Sequence, residues 1–139
     1  MKQGIQSFLK SVGETACYAL CIVQVAIELT GKEINVVNAL TLGIDRGCIK
    51  YTPDNRDGNN FYVVMPDKFL SLLTARDWSV RHAAPTSGIR ADELVVERYE
   101  YKTTSGILGH FKLPAWDSMS PSPVAEKGKL VSLRVFRPV

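Results

Sequence analysis

Histidine is scarce in this chain. His82 and His110 are the only two, so imidazole chemistry has two candidate groups and no others. Cysteine is scarce as well, and its count of 3 is odd. A small chain with an odd count is a poor candidate for a disulfide framework. Excess charge of one sign is missing: 17 Lys and Arg stand against 14 Asp and Glu, a net charge of +3. No run of basic residues concentrates that charge, so no nucleic-acid partner is expected. RVFRP, residues 134–138, is the densest basic spot and fits an edge strand with solvated charges. Long apolar runs are missing too. The uninterrupted apolar part of the N-terminal region, ACYALCIV, is too short to cross a membrane, and Gln24 and Glu28 follow it. Two early lysines before it imitate a signal peptide only loosely. The expectation is a cytoplasmic protein when made, with no signal peptide and no membrane partner.

What is present suits one folded domain. A chain of 139 residues with 45% hydrophobic and 22% charged content can bury a real core. No repeat, low-complexity tract or long linker divides it, so residues 1–139 read as a single domain. Residues 3–10 suggest a helical turn. The main helix should open at Glu14 or Thr15, with Thr15 the better N-cap, run to about Thr30 and stop at Gly31. It has no wide polar face, so other elements should cover it on most sides. A second helix fits residues 34–47, with Gly47 as its stop. Pro53 to Asn60 reads as an exposed loop. FYVVM is a short strand. Pro66 and Asp67 open a third helix with Phe69, Leu70, Leu72 and Leu73 as its apolar stripe.

The second half changes period. WSVRHA, ELVVERYEYK, ILGHFKL and KLVSLRVF read as strands, with a turn at TTSG. Helices first and an antiparallel sheet second make an α+β protein.

Chemistry centres on Cys17. A cysteine at a helix start is a common core filler, and it becomes a candidate nucleophile only with a base in reach. His82 has no acidic residue close by in sequence. His110 follows Gly109, where backbone or ligand can approach closely. If Pro114 and Ala115 form a tight turn between ILGHFKL and WDSM, strand parity puts Asp117 on the face of His110, one diagonal step away. A carboxylate there holds an imidazole in the tautomer that a base needs. Cys17, His110 and Asp117 thus supply nucleophile, base and orienter, and the helix start adds N–H groups that favour a thiolate and an oxyanion.

Other sites are weaker. Cys17, Cys21 and His110, with Cys48 as a fourth ligand, have poor zinc spacing. DNRDG, residues 54–58, lacks the closing Glu of a calcium loop. No metal or cofactor is expected. Cys21 reads as a core filler and Cys48 as a half-buried turn residue. Trp78 and Trp116 suit either a substrate cleft or the core, and Trp116 adjoins Asp117.

A Cys opening a buried N-terminal helix, a late Gly-His-Phe strand and then Trp-Asp resemble the papain-like cysteine peptidases. The likeness is closest to the compact bacteriocin-processing peptidase type. INVVNALTLGIDRGCIKYT, FYVVMPDKFLSLLTARDWSV and the tail after WDSM also resemble a small papain-like family found among phage-type genes. The resemblance implies a papain-like fold, with an N-terminal helix packed against a C-terminal antiparallel sheet. It implies Cys17 as nucleophile, His110 as base and Asp117 as orienting carboxylate. It further implies a thiol peptidase or amidase, with peptides, such as those of peptidoglycan, as substrate class. One element departs. Active members place a Gln shortly before the Cys to donate to the oxyanion, and Ser11 stands there instead, with Gln6 and Gln3 further upstream. Gln6, Ser11 and Trp116 are the expected oxyanion or substrate-binding residues. The alternative is a catalytically inactive papain-like module that binds a partner protein or serves in assembly.

Overall fold

A computed structural model describes residues 16–52, 61–104, 106–114 and 128–139. The chain divides into two compact units, Met1–Asp77 and Trp78–Val139. The architecture is α+β, with helices in the first unit and most of the sheet in the second.

Helix α1 spans Cys17–Thr30. It begins later than side-chain preference at Thr15 implies. The N-cap is Ala16, at φ −96° and ψ 20°, and its carbonyl accepts the first helical bond, from Leu20 N–H, at 2.8 Å. The other end stops where expected: Gly31 takes φ 65° and donates to the Ile27 carbonyl at 2.8 Å. That left-handed residue costs glycine little and any other residue more. Ala19, Cys21, Ile22, Val23, Val25 and Ala26 are buried, as the absence of a wide polar face requires.

Helix α2 spans Val36–Asp45, shorter than residues 34–47 suggest. Asn35 caps it, its side-chain oxygen accepting from Asn38 N–H at 3.0 Å. Gly47, at φ 74°, turns the chain just after Arg46, the C-cap. Strand β1, Ile49–Tyr51, follows at once and pairs antiparallel with β2, Phe61–Val63. The first of these strands was not legible beforehand. Cys48, expected to be half-buried, is 1% exposed and leads directly into it.

Helix α3, Pro66–Thr74, has Pro66 in its first turn, where its missing N–H costs nothing. Phe69 and Leu70 are fully buried, whereas Leu72, expected on the apolar stripe, is exposed. Helix α1 packs on α2, α3 and β2, and α2 packs on β1.

The second unit is a four-stranded antiparallel sheet in the order β3-β6-β4-β5. Its strands are β3 Trp78–Ala83, β4 Leu94–Thr103, β5 Gly106–Lys112 and β6 Lys129–Pro138. Thr103 pairs with Gly106, so the turn expected at TTSG closes the β4–β5 hairpin. Strand β6 pairs with both β3 and β4, and its register slips between Arg98 and Tyr99, which oppose Ser132 and Leu130. Trp78, Val96, Leu133, Val135 and Phe136 are buried.

Several expectations fall outside the described residues: the turn at 3–10, the loop at 53–60 with DNRDG, and Ala115 of the Pro114-Ala115 turn together with the WDSM strand.

Candidate functional site

Cys17 is the first residue of α1. Ala16 offers no side-chain acceptor to the helix start, and the first turn holds no acidic residue. The contrast with α2 and its Asn35 cap is direct. Of the three cysteines, Cys17 alone is not fully buried. Cys21, one turn on, is fully buried, and burial pushes its thiol far above the ordinary range, with Cys17 beside it adding to the effect. Burial also raises the Cys48 thiol, and outweighs the opposing charge of Lys68. Thiolate chemistry is therefore disfavoured at both buried cysteines.

His110 lies on β5, directly across from Tyr99 of β4. Pairing places Glu97, Tyr99, His110 and Lys112 on one face of the hairpin. The Tyr99 hydroxyl donates to Glu97 Oε1 at 3.2 Å. The Lys112 ammonium stands 5.3 Å from the centre of the Tyr99 ring, a cation–π distance. Burial, Glu97 and the bond to Glu97 all push the Tyr99 phenol up, so it keeps its proton. The Nε2 atom of His110 is buried and has no hydrogen-bond partner among the described residues. Burial holds the imidazole below its usual range, and the Lys112 ammonium lowers it further. Burial and the nearby ammonium thus both favour the neutral ring, whose buried Nε2 is unsatisfied among the described residues.

The opposite face of the hairpin has a different chemistry. The close approach expected at Gly109 is made by a side chain: a Cβ there would lie 2.6 Å from Arg98 Nη2. The Arg98 guanidinium donates to Glu100 Oε1 at 2.9 Å and stands 5.9 Å from the Phe111 ring centre. Arg134 approaches the same ring at 5.5 Å and donates to Ser132 Oγ at 2.8 Å. His82, on β3, pairs with Arg134 and is exposed; burial of part of its ring and the Arg134 charge lower its basicity.

Among the expected site residues, Cys17 belongs to the first unit and His110 to the second. Asp117, Trp116, Ser11 and Gln6 lie outside the described residues, as does Gln3. Trp78 is buried at 6% exposure, which answers its two readings in favour of the core. Among the described residues no group of three or more His, Cys, Asp and Glu could hold a metal ion. Strand parity puts Lys112 on the His110 face, but the sequence gives no sign of Tyr99 as the cross-strand neighbour. The alternation in ERYEYK puts Glu97 and Tyr99 on one face, but the β4–β5 register alone sets them beside His110 and Lys112.

No protein-family model, no curated protein and no solved structure matches the chain. The fold itself defines an α+β protein with a mainly antiparallel sheet. No helix among the described residues is long and apolar enough to cross a membrane.

Proposed function

We propose that this chain is a papain-like cysteine hydrolase that cleaves an amide or peptide bond. The observation that carries the reading is His110: an imidazole of lowered basicity whose buried Nε2 has no hydrogen-bond partner among the described residues. An orphaned buried polar nitrogen costs free energy on the order of 1–3 kcal/mol, and a proton-transfer role accounts for keeping it. Cys17 supports the reading as the accessible thiol at a helix start.

In this mechanism His110 takes the Cys17 thiol proton, and the thiolate attacks the carbonyl carbon of the substrate. The tetrahedral oxyanion draws on N–H groups at the start of α1, with Gln6 or Ser11 as further donors. His110 then protonates the leaving amine, the C–N bond breaks, and a thioester remains on Cys17. Water, deprotonated by His110, attacks the thioester and releases the acid. Asp117 orients the imidazole, and Trp116 shields that pair from water. Peptides of the peptidoglycan type are the proposed substrates, and a phage setting is the proposed context. No cofactor takes part in this scheme.

The test is digestion of purified peptidoglycan peptides, with new amino termini read by mass spectrometry. The wild-type chain should release them, and Cys17→Ala should not. Equal release by Cys17→Ala, or no release by either protein, would contradict the reading.

A further inference from the structure

Tyr99 is held at two points. Its hydroxyl is tied to Glu97 Oε1 at 3.2 Å, and its ring carries the Lys112 ammonium at 5.3 Å. Both partners come from the same face of the hairpin, two residues along each strand from Tyr99 and His110. Tethering the hydroxyl restricts rotation of the side chain, and the ammonium over one side of the ring restricts it again. Directly opposed side chains in an antiparallel pair stand about 4.5–5.5 Å apart at Cβ, so a fixed Tyr99 forms a fixed wall for the imidazole. At the same place β6 has an extra residue against β4, since Arg98 opposes Ser132 while Tyr99 opposes Leu130. Such a bulge re-aims the side chains beside it.

We propose that Tyr99 and Lys112 are positioning residues for His110: Tyr99, tethered by Glu97, fixes the place of the imidazole across the hairpin, and Lys112, docked on the Tyr99 ring, holds a positive charge on the same face. The idea rests on the hydrolase reading for the use to which the base is put, but the arrangement itself is a property of the resting chain. Among the described residues, the charged and titratable groups on the His110 face of the hairpin come from two strands. Strand β4 presents Tyr99 and Glu97 on this face, and β5 presents Lys112. Glu97 is occupied by the Tyr99 hydroxyl, and Lys112 lowers the basicity of His110 beyond the effect of burial. A general base must be unprotonated before it can act, so a cation held near it extends the working range toward acid. Through Tyr99, the position of that cation and the position of the base are set together.

The experiment is an NMR titration of the imidazole nitrogens in the full-length chain. It reads two histidines only, and His82, on β3, serves as the internal control. Lys112→Met should raise the His110 midpoint, because a positive charge on its face is removed, and leave His82 unmoved. Tyr99→Leu should raise it as well, because Lys112 loses its dock, and should change the His110 nitrogen shifts at high pH. Tyr99→Phe keeps the ring and should restore most of the wild-type pattern. An unmoved His110 midpoint in Lys112→Met would overturn the proposal, as would wild-type nitrogen shifts in Tyr99→Leu. If Tyr99→Leu fails to fold, the His82 signal reports it, and Lys112→Met with Tyr99→Phe still decides. None of these readouts needs turnover, so a failure here is distinguishable from a failure of the hydrolase reading, which shows at Cys17.

Discussion

Gly43 of α2 and Ile49 of β1 lie so close that a Cβ at residue 43 would stand 2.7 Å from Ile49 Cδ1. The same Cβ would meet Phe69 Cε1 of α3 at 2.9 Å. Gly43, Ile49 and Phe69 are all buried, so three elements of the first unit converge on one missing side chain. Gly43→Ala should therefore incur an overpacking cost of about 1–3 kcal/mol. The gain in helix propensity from Gly to Ala, roughly 1 kcal/mol, offsets part of it, for an expected net destabilisation of about 1–2 kcal/mol with contacts this short. Chemical denaturation checks the balance: an unchanged or raised midpoint would mean that Ile49 and Phe69 yield freely.

Glu93 makes the acid dependence of stability predictable. Its side chain is 1% exposed, Arg81 donates to its Oε2, and Arg90 N–H donates to its Oε1 at 2.8 Å. The Arg81 bond first, and the Arg90 bond second, hold its carboxyl below the ordinary carboxylate range. A carboxyl depressed in the folded state adds stability at pH values above its unfolded range, and that stability is lost as pH falls through the folded value. Glu93→Gln should lower the Tm at neutral pH, because Arg81 loses its charged partner. The gap from wild type should narrow as the pH is brought down through the carboxylate range. Thermal melts across that range decide it, and a gap that stays constant with pH would contradict the assignment.

Much of the fold was legible in the sequence, for a physical reason. The long strands β4 and β6 each have 10 residues, enough for pattern and length to declare themselves. Helix α3 was marked by Pro66 and Asp67. Strand β1 was not legible, since its 3 residues carry no period and are held by pairing with β2 across residues 53–60. The burial of Cys48 was missed with it. The start of α1 was placed by the capping preference of Thr15, whereas the backbone puts the cap at Ala16.

At the candidate site the legible part was chemical identity. Cys17 and His110 stood out as residue types in context, and scarcity of histidine narrowed the choice. The surroundings of His110 were not legible, because cross-strand neighbours depend on register, and register depends on turn geometry. Tyr99 and Lys112 acquire meaning only once Glu97 opposes Lys112 and Tyr99 opposes His110. Gly109 shows the same limit: a close approach was foreseen, but not that Arg98 would make it.

The proposed activation of the Cys17 thiol by His110 has a direct chemical readout. It is the rate of Cys17 alkylation by iodoacetamide as a function of pH, in the wild type and in His110→Ala. Mass spectrometry separates Cys17 from Cys21 and Cys48, which are buried with raised thiols and should react slowly in both proteins. The account predicts a Cys17 that reacts well below the pH of an ordinary thiol and loses that advantage in His110→Ala. A Cys17 that is inert, or whose reactivity ignores His110, would contradict it and leave the binding or assembly module as the reading of this chain.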